Sequence, residues 1–387
     1  METTDLTDRL TRIRRDLHRI PEIGYKEHET SAYIASRLDE LGVPYQKGLA
    51  HSTGILAEIK KGEGKCVLLR ADIDALPMQE ISGLEFSSKN DGVMHACGHD
   101  MHATMLLGAI IHLQNAEFSG TVKCVFQPSE EGTNGDAEKK SGGQRMVEEG
   151  VLDDVDFALA LHVNPLAPVG MVNYSPGDAL ANAANFTIEI FGISSHAGAA
   201  PQFAKDVVVA GSALVQSLQS IVSRNIAPFD SGVVSISSFH AGTAPNVIAD
   251  HAVLTGTLRA MTDQNFELIK KRVQQIIQGI SNAYDVEIKL TLDSYYPSVN
   301  NEAEVHEKLA PVAQQIFPMG LHAIPPTLGA EDFAFYSRKV PSMFYFIGAM
   351  SDQKGAYFLH HPKVIFNEDC MILGSEFLAK SALELLK

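Results

Sequence analysis

Tryptophan is absent, and the four cysteines include no Cys-x-x-Cys pair. Thiols as widely spaced as Cys66, Cys97, Cys124 and Cys370 do not make a disulfide framework, so a reducing cytoplasm is expected. Cys66 and Cys124 sit in apolar runs and read as inert core residues. No apolar run is long enough to suggest a bilayer span. Residues 1–19 are charged and polar with no h-region, so no secretory signal is expected. Basic residues are also short: 31 Lys and Arg against 47 Asp and Glu give a net charge of −16. Without a basic stripe, neither nucleic acid nor an anionic membrane surface is an expected partner. What is there is an ordinary globular composition, 45% hydrophobic and 20% charged. At 387 residues the chain outgrows one simple core, and two domains are expected.

Leu6, Leu10, Ile13 and Leu17 lie at helical spacing, and Pro21 ends that segment. A second helix is expected over 29–41, with Gly42 at its C-terminal side. Strand-like runs follow at 54–59, 65–69, 121–126 and 157–161, with helical stretches between several of them. This alternation predicts an α/β sheet with helices on its faces. The pattern changes near Ala184. A strand at 186–191, a helix at 206–222, strands at 232–239 and 251–259, a helix at 263–283 and a strand at 286–292 give the β-α-β-β-α-β order of a ferredoxin-like unit. The expected division is a larger α/β domain of residues 1–183 and 294–387, closed by a helix at 368–386, with residues 184–293 inserted as a smaller α+β domain.

The densest chemistry lies in His95-Ala-Cys-Gly-His-Asp-Met-His102. One thiol and three imidazoles fall within eight residues, and these donors suit zinc and its borderline-soft neighbours. Residues 103–113 then read as a helix, at whose entrance the dipole favours a thiolate. Asp72 and Asp74 follow one strand-like run, Glu130 and Glu131 another, and His162 a third. In open α/β sheets ligands gather at the carboxyl ends of strands, so these groups are expected in one crevice. Adjacent glutamates allow a division of labour: one ligates a metal while the other moves protons. Taken singly, each acid reads more readily as a turn or solvated loop residue than as part of a site; the cluster shifts the balance to a site.

Seven ordered segments carry a resemblance over nearly the whole length: Arg15-Asp-Leu-His-Arg-Ile-Pro-Glu22, Arg70-Ala-Asp-Ile-Asp-Ala-Leu-Pro77, His95 to His102, Phe126-Gln-Pro-Ser-Glu-Glu-Gly132, Ser195-His-Ala-Gly198, Gly242-Thr-Ala-Pro-Asn246 and Gly329-Ala-Glu-Asp-Phe333. With them the chain resembles the metallo-amidohydrolase/peptidase family of bacterial aminoacylases, hippurate hydrolase, N-acetyldiaminopimelate deacetylase and plant auxin-conjugate hydrolases. The resemblance implies a dinuclear-metal catalytic domain with a central mixed sheet flanked by helices, plus an inserted lid and dimerisation domain. It implies Cys97, His99, Glu131, His162 and His360 as ligands of two divalent ions (zinc, manganese, cobalt or nickel). It implies Glu130 as catalytic base and Asp72 as a supporting acid. Two departures stand out: a long polar loop between Glu131 and Gly143, and the doublet His360-His361.

On this reading the enzyme hydrolyses the amide bond of N-acyl amino acids by a metal-activated water, and a metallo-carboxypeptidase or dipeptidase is the alternative. His196 is expected to hold the oxyanion, from its own or a second subunit, and Asn246 and Arg259 the amino acid's carboxylate. Glu331 is expected to line the pocket or hold a helix N-terminus. A homodimer or homotetramer is expected. A thiol enzyme using Cys97 as nucleophile is a rival, which the surplus of carboxylates disfavours; a metal-binding scaffold is another, which an uncoordinated Glu130 disfavours.

Overall fold

The structure, a computed structural model, describes residues 3–51, 53–351 and 357–387. The chain begins with α1 (Thr3–His18) and α2 (His28–Leu41), then β1 (Tyr45–Leu49), β2 (Gly54–Lys61), β3 (Cys66–Asp72), α3 (His99–Gln114), β4 (Gly120–Gln127), α4 (Gly142–Glu148), β5 (Phe157–Asn164) and β6 (Val172–Tyr174). It continues through β7 (Gly177–Leu180), β8 (Asn182–Phe191), β9 (Ser195–His196), α5 (Val207–Leu218), α6 (Ser220–Asn225), β10 (Gly232–Ala241), β11 (Val247–Ile248), β12 (His251–Ala260), α7 (Asp263–Tyr284) and β13 (Glu287–Tyr296). The last elements are β14 (Val299–Asn301), α8 (Ala303–Ile316), β15 (Leu321–Ala323), α9 (Ala334–Ser337), β16 (Ser342–Gly348) and α10 (Cys370–Leu385).

Two compact units result. The first comprises residues 1–179, 299–326 and 332–387, the second 180–298 and 327–331. The first unit is built on an eight-stranded mixed sheet in the order β1-β2-β4-β3-β5-β16-β6-β15. Its centre, β4-β3-β5-β16, is parallel, so the carboxyl ends of four strands point one way. Every residue of β3 is buried, as expected of a strand covered on both faces. The face Leu6, Leu10, Ile13 and Leu17 of α1 is buried as its spacing implies. Helix α3 is apolar nearly all round, from Met101 to Leu113, and lies in the core with α1 and α10 packed on it. Two long elements escaped the sequence reading, α8 and the buried strand β16.

The second unit has its own core of Phe186, Ile188, Ile190, Leu214, Leu254, Phe266 and their neighbours. Its four strands lie antiparallel in the order β10-β12-β8-β13, with the predicted β-α-β-β-α-β succession. Asp206 caps α5 by accepting the Val208 and Val209 N–H groups, and Thr262 caps α7 through Asn265 N–H. Composition predicted no apolar run long enough to span a bilayer; among the described helices, Val207–Asn225 does pass on length and apolarity. It is divided between α5 and α6, and its apolar face, with Val207, Leu214, Leu218 and Ile221, is packed in this unit's core.

Candidate functional site

The parallel strands of the first unit deliver Asp72 at the end of β3, Glu130 and Glu131 just past β4, and His162 near the end of β5. Cys97 and His99 arrive at the entrance of α3. That entrance turns at Gly98, which has φ 90° and whose missing side chain matters: a Cβ would lie 2.4 Å from Val163 Cγ2. Glycine alone allows this backbone and lets α3 close onto β5. Cys97 Sγ is 3.4 Å from both His162 Nε2 and His360 Nε2. His360 Nε2 lies 3.2 Å, and His99 Nε2 3.9 Å, from Glu131 Oε1. The donors form two overlapping sets that share Cys97: one with His99 and His162, the other with Glu131 and His360. A third set joins His99 to Glu130 and Glu131.

The imidazoles are oriented by what their other nitrogens touch. His99 Nδ1 donates to the Asp74 carbonyl and carboxylate (2.9 and 3.1 Å), and His162 Nδ1 donates to the Val163 carbonyl at 2.8 Å. Each turns its Nε2 toward the cluster, the arrangement of metal-binding histidines, where a bound cation would displace any proton. His102 differs. Its Nε2 accepts the Val163 N–H (2.9 Å), so its proton sits on Nδ1 and is donated to Asp72 (2.6 Å). With both nitrogens engaged it orients Asp72 and has no lone pair to give. Asp72 also accepts from Arg70, whose guanidinium reaches Asp332 and Gln127 as well.

Charge in this crevice favours a cation. Burial alone would lower His99, yet Asp72, Asp74 and Glu131 overcome it and push the imidazole up to about 10. Burial would raise Asp72, but His99, Arg70 and His102 hold it well below the usual carboxylate range. Burial likewise raises Glu131, and His360 and His99 outweigh it downward. The sequence argument that the helix entrance favours a Cys97 thiolate fails here for a physical reason. Burial, reinforced by the negative charge of Glu131 and Glu130, pushes this thiol well up, which makes it a poor unaided nucleophile. A divalent ion inverts that sign, since a coordinating thiol gives up its proton. The donors fit such an ion: soft sulfur, oriented imidazoles and carboxylate, with His99 Nε2 buried and lacking a hydrogen-bond partner.

The remaining candidates lie in the second unit. His196, on β9, is exposed, and its Nδ1 accepts the N–H groups of Gly198 and Ala199 at 3.2 and 3.1 Å. The proton of the neutral ring is therefore on Nε2, directed outward as a donor. Asn246 is its neighbour: the Asn246 carbonyl accepts the Ala197 N–H, and Val247 pairs with His196. Arg259 is not beside them. The loop bearing Asn246 leaves the end of β10 where Ala241 pairs with Ala252, whereas Arg259 sits near the other end of β12, roughly 25 Å along the strand. Its guanidinium is half-buried and donates to Thr257 Oγ1 and the Leu258 carbonyl. Glu331 is buried. The sequence counted His102 among the imidazole donors, but both its nitrogens are engaged with Asp72 and Val163; the parts played by Arg70 and Asp332 were missed, although both lie within the shared motifs, because their side chains meet only in three dimensions.

A sheet whose parallel central strands help gather a thiol, imidazoles and carboxylates fits a metal-dependent hydrolase of the α/β class. The model of peptidase family M20/M25/M40 matches residues 68–384, and the chain belongs to that family. It is 36% identical to the N-acetyldiaminopimelate deacetylase of Bacillus velezensis over 94% of its own length and 95% of the relative's. It is 38% identical to an IAA-amino acid hydrolase (ILR1-like 6) of Arabidopsis thaliana, covering 95% of this chain and 78% of that one. Among solved structures it matches the Bacillus subtilis YXEP protein, described as a dinuclear metal-binding peptidase of the M20 family, with a TM-score of 0.84 and 32% identity over 99% of both chains.

Proposed function

We propose that this protein hydrolyses the amide bond of N-acyl amino acids, as an aminoacylase or deacetylase. The observation that carries the reading is the closeness of Glu130 to His99 and Glu131, within a candidate donor set that Cys97, His162 and His360 extend. Full-length similarity to enzymes named for N-acyl amino acid substrates supports it and disfavours the carboxypeptidase or dipeptidase alternative. Two divalent ions held by those five residues, when bound, supply Lewis-acid polarisation of the amide and an acidified water. Zinc, manganese, cobalt and nickel all suit this donor set.

The rest falls to the chain. Glu130 takes the proton of the attacking water on a carboxylate oxygen and returns it to the leaving amine. Asp72, held by Arg70 and His102, keeps negative charge against His99. His196 offers Nε2–H to the developing oxyanion, while Asn246 and Arg259 recognise the carboxylate of the amino acid. Because Asn246 and Arg259 lie at opposite ends of one chain's sheet, their service to one substrate is best met by two copies. This supports a homodimer, or a tetramer built from it, in which the second unit pairs the copies and supplies His196 in trans. Free buried thiols support a reducing, cytoplasmic location.

The test is release of free amino acid from N-acetyl, N-benzoyl and dipeptide substrates by metal-free protein, before and after each metal is added singly. Activity only with metal, and highest on N-acyl amino acids, supports the reading; best turnover on dipeptides selects the alternative. E130Q should lower kcat by ~10²-fold or more with bound metal unchanged. Near-normal turnover in E130Q would sink the assignment of the base.

A further inference from the structure

Ser129 immediately precedes the glutamate pair and is held at φ 50°, a left-handed conformation that costs a residue with a side chain roughly 1–2 kcal/mol. Its surroundings keep it there. The Ser129 N–H donates to Glu27 Oε1 at 2.9 Å, its carbonyl accepts the Gly142 N–H at 3.0 Å, and its Oγ donates to the Gly132 carbonyl at 2.7 Å. Glu27 Oε1 also accepts the Tyr25 N–H at 3.0 Å. Gly24 closes the clamp: a Cβ on it would lie 2.4 Å from Ser129 Oγ and 3.1 Å from Ser129 Cα.

Glu27 is an unusual acid. It stands at the start of α2, but its side chain makes no cap bond; the Glu29 and Thr30 N–H groups of the first turn donate to Glu22 instead. Glu27 turns inward and is fully buried. Among the described residues no cation pairs with it. Burial, reinforced by the nearby Asp74, pushes its pKa up to about 8, so it is held largely as the neutral acid, and its Oε1 accepts two backbone N–H groups, one of them next to Glu130.

We infer that Glu27 is a positioning residue for Glu130, acting through the Ser129 peptide. By gripping Ser129 across 102 residues of sequence, it fixes the turn from which Glu130 projects. Asp74 pins the other side of the pair, accepting the Glu131 N–H at 3.0 Å. Asp74 also orients His99, so its loss would confound positioning with metal binding; no hydrogen bond or ion pair of Glu27 goes to a candidate ligand. The inference rests on Glu130 being the base, and a displacement of about 1 Å at such a group costs up to ~10²-fold in rate.

Three variants of the metal-loaded full chain separate the reach of the side chain from its acid group: E27Q, E27D and G24A, with E130Q as reference. The readouts are kcat, KM and bound metal per chain, on the best N-acyl amino acid of the panel. E27Q keeps an acceptor oxygen at the same reach and should retain kcat within about 3-fold. E27D keeps the carboxyl group but is one methylene short, and kcat should fall by at least ~10-fold with KM and bound metal unchanged. G24A leaves the carboxyl group intact, crowds Ser129 and should lower kcat in the same way. Wild-type kcat in E27D or G24A overturns the inference, as does an E27Q loss equal to that of E27D or a kcat loss that merely tracks loss of metal. If E27D does not fold, G24A decides. A wild-type-like E27D beside an inactive E130Q sinks the positioning role alone; an active E130Q sinks the base assignment and this inference with it.

Discussion

His360 and His361 adjoin in sequence but face different partners. His360 has φ 61°, and this left-handed turn sets its Nε2 3.4 Å from Cys97 Sγ. His361 stacks flat on Tyr357, with ring centroids 4.0 Å apart, and its Nδ1 accepts the Lys363 N–H. The doublet, ambiguous in the sequence, is thus divided by backbone conformation. H360A should weaken metal binding by more than ~10-fold, and H361A should leave both metal content and turnover near wild type. Metal per chain after dialysis against a weak chelator checks this, and equal losses in the two variants would contradict the division. Much of the candidate site was legible residue by residue, because Cys97, His99, Glu130 and Glu131 lie in short motifs just past a strand or at a helix entrance, and His162 ends an apolar strand-like run. The clamp on Ser129 was not legible. It depends on a left-handed backbone and on a partner 102 residues away, and neither leaves a local pattern.

At the scale of elements, α1 is tied to α3 by a buried charge cluster. His18, the last residue of α1, places Nδ1 2.8 Å from Asp100 and Nε2 3.3 Å from Glu80, and Arg14 reaches Asp100 at 2.8 Å. Burial and Arg14 both lower the His18 imidazolium, but Asp100 and Glu80 outweigh them and its pKa is raised. Burial would raise Glu80, and His18 holds it instead at about 2. The signs give a pH window. The raised His18 contributes stability fully present below its unfolded value of about 6.5 and lost as pH rises through its folded value. The depressed Glu80 contributes stability present above about 4.3 and lost as pH falls through about 2. H18Q should therefore cost ~3 kcal/mol near pH 6, with the difference from wild type shrinking as pH becomes alkaline. Urea midpoints of metal-loaded protein from pH 6 to 9 measure it, and a pH-independent difference would show that His18 is uncharged in the fold. Elements were legible where one face is apolar, as in α1 and α7. Strand β16 was missed because it is a buried run of Ser342 to Gly348 without alternation, and such a run does not distinguish strand from helix. Helix α8 was missed because Pro311 lies inside it, where proline ordinarily ends a helix.

At the scale of the molecule, two cores divide the chain, and the candidate metal donors belong to one of them. Cys97, His99, Glu131, His162 and His360 are all in the unit of residues 1–179, 299–326 and 332–387, whereas His196, Asn246 and Arg259 are in the unit with its own core around Phe186 and Leu254. Ligand binding stabilises only the cooperative unit that forms the site, by ~2.7 kcal/mol at a hundredfold excess over Kd. Without ions the first unit keeps a thiol, imidazoles and four acids crowded at its strand ends, and local opening there becomes easier. Chelation should therefore speed hydrogen exchange at residues 94–102, 127–132 and 357–361, and in the strand ends that carry them. Exchange in α5, α7 and the four-stranded sheet of the second unit should stay the same. Readdition of zinc or manganese should restore the first pattern. Equal loss of protection in both units would mean that they unfold as one and that the two cores are not independent. Unchanged exchange at residues 94–102 would mean that the donor cluster holds no ion, which would remove the basis for the proposed chemistry.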